Sequence, residues 1–410
     1  MSAAWSLERA EEHLLSLELF GMRFGLERMR RLLTVLGSPQ DRFAAVHVVG
    51  TNGKSSTVRM TAALLEAHGV RAGAFLSPHL LSFAERIRIG DADLAPEPFA
   101  AAVQRAAGAA AKVDRTLTGG ERVTQFELLT AAAYDELARR GVEVAVVEAG
   151  LGGRWDATNV LGAGVVVLTN VGLEHTRWLG PTVPDIAREK LAVVAPHATL
   201  VLGDAGPEVA ALAEATGARI VHALPAEEAD GALRGYQRTN FLVATAAARE
   251  QLGELDPVRV SEVAARIRVP GRLQQIAEAP LTILDGAHNP SGMAALAAAL
   301  DDVVGERELV AVVSVLDDKD AAGMLRALLG KCRSVVFTAS RNPRALPPAT
   351  LASLAEQLGG PPSELVRDPH AALARARELA GPAGAVLATG SIYLVADLTA
   401  APGRRKASAL

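Results

Sequence analysis

The fold is decided by the stretch V-H-V-V-G-T-N-G-K-S-S-T at residues 46–57. An apolar run typical of a buried strand, Ala44–Val49, leads into its glycines, and a helical pattern follows at residues 58–68. In a strand–turn–helix unit of this kind, backbone N–H groups and the helix N-terminus bind phosphate, and the lysine reaches the β- and γ-phosphates. The pattern therefore predicts a nucleotide-binding loop made of Gly50, Thr51, Asn52, Gly53, Lys54, Ser55, Ser56 and Thr57.

This loop departs from the strict P-loop pattern in one place. The pattern requires glycine at position 48, where this chain has Val48, so we expect Gly50 to make the early turn. A hydroxyl after the lysine can hold Mg²⁺, and either Ser55 or Ser56 can supply it. The alternative is an ordinary strand-to-helix turn without a ligand, which the Gly-Lys-Ser sequence in this context disfavours.

Short apolar runs alternate with helical patterns along the rest of the chain, which predicts an α/β protein with a parallel-rich sheet covered on both faces. A Pro270-Gly271 break interrupts the pattern, and a second β-α-β series follows it. We expect one domain at residues 1–269, a second at 270–400 and a frayed tail at 401–410. The predicted strands lie at residues 44–49, 71–76, 142–147, 164–168, 281–284, 309–315, 334–338 and 384–389.

Polar residues follow three further predicted strands of the first domain. Ser77 and Glu148 come directly after two of the apolar runs, and Glu174 and His175 lie just past a third. Ligands of open α/β sheets bind beyond the carboxyl ends of the strands, and Mg²⁺ prefers oxygen ligands. Together with Lys54, these strand ends predict a metal and phosphate site. Taken singly, Glu148 could cap the next turn, and His175 could be a structural, hydrogen-bonded histidine.

The stretch G-L-G-G-R-W-D-A-T-N at residues 150–159 has both a functional and a structural interpretation. Its glycines allow close approach to a ligand, and Arg154 can pair with an anion. The alternative is a tight, irregular connection in which Trp155 packs against the protein. Composition alone does not decide between them.

The stretch D-G-A-H-N-P at residues 285–290 also has both a functional and a structural interpretation. Asp285 could accept a hydrogen bond from a ribose hydroxyl, and His288 could bind a substrate carboxylate. Alternatively, Asn289 caps a helix that begins at the following proline. We interpret the acidic stretch D-D-K-D at residues 317–320 as a solvated turn and an N-cap.

Composition excludes several classes of function. The chain has 410 residues and a formal net charge of -4, without the basic stripe of a nucleic-acid binder. Its one cysteine, Cys332, allows no disulfide within the chain and fits a reducing cytoplasm. The pattern at residues 6–20 is that of an amphipathic helix rather than of a signal peptide, and no stretch approaches the length of a membrane span.

Taken together, these motifs resemble the folylpolyglutamate synthase and dihydrofolate synthase family of the Mur ligase superfamily. The resemblance covers nearly the whole chain and implies a Mur ligase-type P-loop ATPase domain followed by a smaller Rossmann-like domain. GTNGK alone indicates only the superfamily, whereas SPHL followed by ERI, and GLGGRWDATN, are more specific to the folate branch. The segments that carry the resemblance are GTNGKSS (50–56), SPHLLSFAERI (77–87), TQFE (124–127), EAGLGGRWDATN (148–159), EHTRWLG (174–180), REKLAVV (188–194), PGRLQ (270–274), DGAHNP (285–290) and GSIYLV (390–395).

The resemblance implies roles for individual residues. The residues that match metal ligands of the family are Ser56, Ser77, Glu148 and His175. Those that match ATP contacts, besides the loop, are Asn240, Arg272 and Asp285. Those that match pterin-side positions are Gly25, Leu26, Thr124, Gln125, Phe126, Glu127, Trp155, Asp156 and Ala157. Those that match positions near the incoming glutamate are His288 and Ser391.

Lys190 matches the lysine that the family carbamylates. From the sequence alone, a lysine in this amphipathic segment is expected on the surface. The resemblance instead implies a carbamate that ligates Mg²⁺, because a bare ammonium group would repel the metal. The implied cofactors are Mg²⁺, at two sites, and ATP as co-substrate. The residues expected to carry catalysis are Lys54, His175 and Lys190.

The activity that the resemblance implies is ATP-dependent ligation of L-glutamate to dihydropteroate and to tetrahydrofolate polyglutamates, through an acyl phosphate, by a cytoplasmic monomer. The alternatives are a monofunctional folylpolyglutamate synthase, a Mur peptidoglycan ligase acting on UDP-muramyl substrates, and a nucleotide-binding protein without turnover. Two departures concern the site. Ser55 stands where the family often has Gly or Thr, and Glu174 stands where it often has aspartate.

Overall fold

The computed structural model describes residues 3–18, 25–223 and 233–400. These residues form two compact units. The first unit contains residues 3–18, 25–223 and 240–267, and the second contains residues 233–239 and 268–400. The predicted tail at 401–410 lies outside the described residues.

A mixed, mostly parallel sheet forms the centre of the first unit. Within the described residues its strands are β1 (Ala44–Val49), β2 (Ala72–Phe75), β3 (Ile87–Ile89), β4 (Ala92–Asp93), β5 (Val144–Glu148), β6 (Val165–Leu168), β7 (Thr199–Leu202) and β8 (Arg219–His222). Their order across the sheet is β4-β3-β2-β5-β1-β6-β7-β8. The six strands from β2 to β8 in this order pair in parallel, whereas β3 and β4 are antiparallel additions at one edge.

Helices cover this sheet, and those in the described residues are α1 (Leu7–Leu15), α2 (Glu27–Val35), α3 (Lys54–Ala67), α4 (Pro96–Asp114), α5 (Gln125–Arg139), α6 (Thr176–Leu179), α7 (Val183–Leu191), α8 (Gly206–Glu214), α9 (Tyr236–Leu252) and α10 (Pro257–Arg266). The first residues of α9 belong to the second unit. No helix in the part of the chain that the structure describes is both long enough and apolar enough to cross a bilayer.

The second unit has its own sheet and core. Its strands in the described residues are β9 (Gln274–Glu278), β10 (Leu281–Leu284), β11 (Leu309–Val313), β12 (Ser334–Phe337), β13 (Ser363–Leu365) and β14 (Ala385–Thr389), in the order β13-β12-β11-β14-β10-β9. All pair in parallel except β9, which is antiparallel to β10. The helices described in this unit, besides the start of α9, are α11 (Pro290–Val304), α12 (Ala321–Leu328), α13 (Pro348–Gln357), α14 (Pro369–Ala380) and α15 (Ile392–Thr399).

Buried aliphatic runs explain the central strands of both units. The side chains of β5, β11 and β14 are buried along their whole length, as expected for parallel strands with helices on both faces. The predicted runs at 44–49 and 281–284 are confirmed without change as β1 and β10, and the other six differ from β2, β5, β6, β11, β12 and β14 by one or two residues at an end. The predicted runs include no counterpart of β3, β4, β7, β8, β9 and β13, among which are all the strands at the edges of the two described sheets.

Two helix starts in the second unit confirm structural interpretations of polar motifs. Asn289 is the N-cap of α11, and its side chain accepts a hydrogen bond from the Gly292 N–H at 2.7 Å. Asp320 is the N-cap of α12, and its carboxylate accepts from the Gly323 N–H at 2.8 Å. Such caps satisfy N–H groups that have no partner within the first helical turn.

Candidate active site

The carboxyl ends of four neighbouring parallel strands share one edge of the first sheet. In the order β2-β5-β1-β6 these ends lead to Ser77, Glu148, Lys54 and His175. The sheet therefore brings the predicted phosphate and metal residues to a common edge, although the chain separates them widely. This is the position at which open α/β sheets bind ligands.

Residues that follow β6 hold the nucleotide-binding loop. The Thr51 N–H donates to the Asn170 carbonyl at 2.9 Å, and the Asn52 N–H donates to the Asn170 side-chain oxygen at 2.9 Å. The Thr169 hydroxyl donates to the Asn52 carbonyl at 2.6 Å. Gly50 has a φ of +150°, and a Cβ there would lie 1.9 Å from the Thr169 Oγ1, so a larger residue cannot replace it without displacement.

Thr169 and Asn170 were not predicted as site residues. Their signal was present in the sequence, because they are a polar pair directly after the apolar run of β6. The contacts of Thr169 and Asn170 fix the shape of the loop rather than define a ligand contact.

The first turn of α3 begins at the loop lysine. Lys54 Nζ donates to the Gly50 carbonyl at 3.0 Å and to the Thr51 carbonyl at 3.2 Å, so its ammonium group lies over the loop backbone. Gly53 is in the left-handed region, with a φ of +83°, and a Cβ on it would lie 2.4 Å from the Asn240 Oδ1. Asn240, the predicted ATP contact of α9, therefore lies directly against the loop.

Glu148 links three of the strand ends. Its side chain is 1% exposed, and its two oxygens accept hydrogen bonds from the Ser55 hydroxyl at 2.9 Å and from the Ser77 N–H at 3.0 Å. The hydroxyls of Ser56 and Thr57 are buried, and no hydrogen-bond partner for them exists among the described residues. A buried carboxylate with nearby hydroxyl oxygens is a donor set that fits Mg²⁺.

His175 reaches the same edge in an unusual backbone conformation. It lies at the start of α6 with a φ of +52°, and its side chain is 41% exposed. Its Nε2 lies 3.9 Å from a carboxylate oxygen of Glu174. In the part of the chain that the structure describes, no three His, Cys, Asp or Glu side chains form a metal-binding group.

Lys190 is buried, which contradicts the surface position expected from the amphipathic pattern. The residue is 4% exposed, and its Nζ donates to the Gly50 carbonyl at 2.7 Å. Burial, followed by repulsion from Lys54, lowers the pKa of Lys190 from its ordinary value of 10.5 to about 7. The negative charges of Glu174 and Asp156 act to raise the pKa of Lys190 and partly offset this lowering. A substantial share of this amine is therefore neutral near neutral pH.

The loop at residues 150–159 packs against α7. A Cβ on Gly153 would lie 2.6 Å from the Glu189 carbonyl and 2.8 Å from that of Lys190, so the two backbones are in contact. Arg154 pairs with Glu189 at 2.9 Å. Trp155 is 48% exposed, which excludes the packed interpretation, whereas Ala157 is buried.

The pterin-side residues of α5 form a helix start that is tied to α2. Thr124 is the N-cap of α5 and forms a capping box with Glu127. The Arg28 Nε lies 3.1 and 3.2 Å from the two oxygens of Glu127, in a buried ion pair. The Gln125 side chain donates to the Leu14 carbonyl at 2.8 Å. The structure thus uses Gln125 and Glu127 to hold helices together, and Arg28, which the sequence analysis did not identify, completes this contact.

The remaining pterin-side residues are less constrained by side-chain contacts. Gly25 and Leu26 directly precede α2, and Gly25 has a φ of +143°. Leu26 is buried. Phe126 follows the capping residue of α5, and its ring packs against Phe75 with a centroid separation of 5.9 Å.

The predicted residues of the second unit lie at the ends of β10 and β14. Asp285 is buried and accepts hydrogen bonds from the Leu273 N–H at 2.8 Å, the Ala287 N–H at 2.9 Å and the Tyr236 hydroxyl. Burial raises the pKa of Asp285, and Arg272 opposes this shift. The Arg272 side chain donates to the Gly271 carbonyl at 3.0 Å.

His288 and Ser391 complete this set. The His288 Nδ1 lies 2.8 Å from the Gly286 carbonyl, which requires a proton on Nδ1. Ser391 is the buried N-cap of α15, and its hydroxyl accepts from the Tyr393 N–H at 3.1 Å. The parallel strands β10 and β14 are neighbours, so both residues follow adjacent strand ends of the second unit.

A buried histidine lies on β1, three residues before the nucleotide-binding loop. The Nε2 of His47 is 2.8 Å from the Thr158 hydroxyl, and that hydroxyl in turn donates to Asp156. Burial lowers the pKa of His47 from 6.5 to about 4. His47 is therefore neutral at neutral pH and acts as a hydrogen-bonding group rather than as a charge.

Comparison with known proteins agrees with this architecture. A family model described as the Mur ligase, glutamate ligase domain matches residues 271–392. A curated relative, the dihydrofolate synthase/folylpolyglutamate synthase of Mycobacterium tuberculosis, is 35% identical over 381 residues, which cover 82% of this chain and 78% of the relative.

Solved structures match over almost the entire chain. The folylpolyglutamate synthase of M. tuberculosis complexed with ADP and AMPPCP has a TM-score of 0.89 at 33% identity, covering 98% of this chain and 99% of the other. Escherichia coli FolC in complex with DHPP and ADP has a TM-score of 0.86 at 28% identity, covering 97% and 98%. A bifunctional folylpolyglutamate synthase/dihydrofolate synthase with Mn, AMPPNP and L-glutamate bound has a TM-score of 0.84 at 27% identity, with the same coverage.

The two α/β units and the nucleotide-binding edge, with these matches, define a Mur ligase-type enzyme that forms amide bonds at the expense of ATP. Within that class, the identity and coverage of the curated relative decide the branch. The chain belongs to the dihydrofolate synthase/folylpolyglutamate synthase family.

The depressed pKa of His47 predicts a specific loss of stability in acid. Between pH 6.5 and about 4 the unfolded chain binds a proton that folded His47 does not, so the free energy of unfolding falls as the pH is lowered through this range. We expect His47→Gln, which cannot titrate, to gain about 3 kcal/mol relative to the wild type between pH 7 and pH 4. Denaturant unfolding of both proteins across this range measures the difference, and a difference independent of pH would show that His47 is not held neutral.

Proposed function

We propose that the chain is bifunctional: it joins L-glutamate to dihydropteroate and then adds further glutamates to reduced folates. The observation that carries this proposal is the common edge at which Lys54, Ser77, Glu148 and His175 follow four adjacent strands. The double activity in the name of the relative from M. tuberculosis, and the DHPP and L-glutamate in the matched complexes, support the choice of substrates.

In this proposal the nucleotide-binding loop holds the triphosphate of ATP. The backbone N–H groups of residues 50–57 and the N-terminus of α3 favour the phosphates, and Lys54 turns from the loop carbonyls to the β- and γ-oxygens. Asn240 contributes from its position beside Gly53, and Arg272 and Asp285 contribute the remaining nucleotide contacts.

The proposed metal ligands are Ser56, Ser77, Glu148, His175 and a carbamylated Lys190, for two Mg²⁺ ions. Two observations support this assignment: the Ser56 hydroxyl is buried without a hydrogen-bond partner among the described residues, and the Glu148 carboxylate is buried. Ser55 already donates to Glu148, so Ser56 is the better candidate for the hydroxyl ligand. Bound Mg²⁺ would neutralise charge on the transferring phosphoryl group.

Lys190 is suited to carbamylation because its amine is buried and its pKa is near 7. A neutral amine attacks CO₂ and loses one proton, which leaves a carbamate with oxygens able to ligate a metal. The change converts a cation beside Lys54 into an anion, and so replaces repulsion by attraction.

The proposed chemistry has two steps. A carboxylate oxygen of the acid substrate attacks the γ-phosphorus, ADP leaves, and an acyl phosphate remains. The glutamate amine then attacks the acyl carbon, phosphate leaves, and the amine loses a proton. No side-chain nucleophile is needed, so catalysis rests on positioning and on electrostatic stabilisation.

The substrates are assigned to two groups of residues. The pterin-bearing acid is placed against Gly25, Leu26, the segment 124–127 and the segment 155–157. The incoming glutamate is placed near His288 and Ser391. We further propose that the enzyme works as a monomer in the cytoplasm, where the free thiol of Cys332 stays reduced.

A two-acceptor assay tests the proposed function. We expect glutamate-dependent ADP release from the purified chain with dihydropteroate and also with a reduced folate monoglutamate, and no such release with a UDP-muramyl peptide. Activity with the folate alone would establish a monofunctional folylpolyglutamate synthase. ATP binding without glutamate-dependent release with either acceptor would contradict the proposal.

Replacement of the loop lysine tests the phosphate assignment. We expect Lys54→Ala to lower glutamate-dependent ADP release by at least about 100-fold, because charge on the transferring group loses its cation. Its denaturant unfolding is expected to match that of the wild type, since Lys54 is part-buried and its hydrogen bonds within the described residues are to two loop carbonyls. Lys112→Ala, an exposed lysine of α4, is the matched control and should keep full activity. Near-normal turnover in Lys54→Ala would reject the assignment.

The carbamate is tested by chemical rescue. We expect Lys190→Ala to be inactive, and to recover part of its turnover in added formate or acetate, because a small carboxylate can occupy the position of the carbamate oxygens. Sodium chloride at equal ionic strength is the control. In the wild type, ¹³C-labelled CO₂ should give a carbamate carbon resonance that Lys190→Ala lacks. Full activity of Lys190→Ala without an added acid would exclude the carbamate.

A further inference from the structure

The carboxylate of Asp156 is held on several sides by its own loop. The residue is 6% exposed. One oxygen accepts from the Leu151 N–H at 2.7 Å, and the other accepts from the N–H of Thr158 at 3.0 Å and from its hydroxyl. A side chain so occupied has little freedom, so its position depends on the groups that donate to it.

Thr158 connects the Asp156 carboxylate to His47 on strand β1 of the sheet. Its hydroxyl has one proton, and that proton goes to Asp156. The contact of the same oxygen with the His47 Nε2, at 2.8 Å, must therefore be donated by the histidine. The hydrogen-bond chain runs in one direction, from the ring of His47 through the Thr158 hydroxyl to Asp156.

His47, the first donor of this hydrogen-bond chain, lies on a central strand of the sheet. It is buried in β1, and β1 is paired on both sides, with β5 and with β6. The nucleotide-binding loop begins at Gly50, directly after the same strand. One central strand therefore leads into the phosphate loop and also carries the first donor of the hydrogen-bond chain that ends on Asp156.

The loop that contains Asp156 also touches other predicted site elements. A Cβ on Gly150 would lie 2.6 Å from the ring of Phe126, and Gly153 packs on the backbone of Lys190. A shift of Asp156 would consequently be transmitted to Trp155 and to Ala157, and would alter their position relative to Phe126. These are the residues against which the acid substrate is proposed to bind.

We propose that His47 and Thr158 are positioning residues for the acid substrate: through Asp156 they fix residues 155–157 in register with the nucleotide-binding loop. The inference rests on the proposed function in one respect, namely that the acid binds against residues 155–157. Neither His47 nor Thr158 contacts a reacting atom in this proposal. Their removal affects the binding of the acid and leaves nucleotide binding intact.

The experiment compares variants that remove the hydrogen-bond chain with variants that keep it. Thr158→Val removes the hydroxyl at constant shape, and Thr158→Ser retains it. His47→Leu removes the ring donor, and His47→Gln keeps an N–H near the position of Nε2. For each full-length variant we would measure the KM for dihydropteroate, the KM for ATP and the calorimetric Kd for ADP.

We expect Thr158→Val to raise the KM for dihydropteroate about tenfold while the KM for ATP and the Kd for ADP stay within twofold of the wild type. Thr158→Ser should stay within twofold in all three. His47→Leu should resemble Thr158→Val, and His47→Gln should lie closer to the wild type. A general loss of structure would not produce this split, because it would alter nucleotide binding as well.

Several results would overturn the inference. The first is an unchanged KM for dihydropteroate in Thr158→Val, and the second is an equal rise in its KM values for dihydropteroate and for ATP. The third is a KM for dihydropteroate in Thr158→Ser that is raised as much as in Thr158→Val. If Thr158→Val does not fold, equal KM values for dihydropteroate in His47→Gln and His47→Leu would reject it. Failure of the wild type to turn over either acceptor would instead overturn the proposed function, and the inference with it.

Discussion

The carboxylate of Glu148 is the contact on which the candidate site depends. It is buried at the end of β5, where an unpaired charge would be costly, and it accepts from groups on the neighbouring strand ends. One donor, the Ser55 hydroxyl, belongs to the first turn of α3, and the other, the Ser77 N–H, follows β2. Three strand ends are thereby fixed relative to one another, which is what a phosphate and metal site requires.

The charges at this edge of the sheet favour the binding of an anion. Lys54 and Lys190 both donate to the Gly50 carbonyl, so two amines share one acceptor in a partly desolvated place. Their mutual repulsion contributes to the low pKa of Lys190. A triphosphate would relieve that repulsion through Lys54, and an anionic Lys190 would reverse its sign. Both changes act on the same carbonyl contact, so the two lysines are coupled through the loop.

The parts of the fold that the sequence predicted are those with a local signal. The continuous apolar runs of β1 and β10 identify buried parallel strands, whereas the helix predicted at residues 58–68 begins four residues earlier, at Lys54. Edge strands such as β4 and β13 lack that signal, because they are short and partly exposed. Their existence depends on pairing with a neighbour, which is a tertiary interaction that periodicity does not report.

Lys190 shows the same limit of prediction from sequence periodicity within the candidate site. Its helix has the pattern of a surface helix, but its side chain bonds to Gly50, 140 residues earlier in the chain. The periodicity of α7 contains no information about that partner. The resemblance to a known family pointed to the residue's importance, and the structure supplies the physical reason, which is burial against the nucleotide-binding loop. Thr169 and Asn170, in contrast, do have a local sequence signal, because they are a polar pair directly after the apolar run of β6.

A single strand connects these observations. β1 ends in the loop whose carbonyl holds Lys54 and Lys190, and its buried His47 donates to the Thr158 hydroxyl that holds Asp156. Attack on a terminal phosphorus requires the acid and the nucleotide to be aligned, and a misplacement of about 1 Å can lower the rate about 100-fold. The two loops that are proposed to face the substrates are both tied to this strand, so a displacement of the strand moves both together and preserves their alignment. Loops anchored on separate, independently moving elements would not have this property.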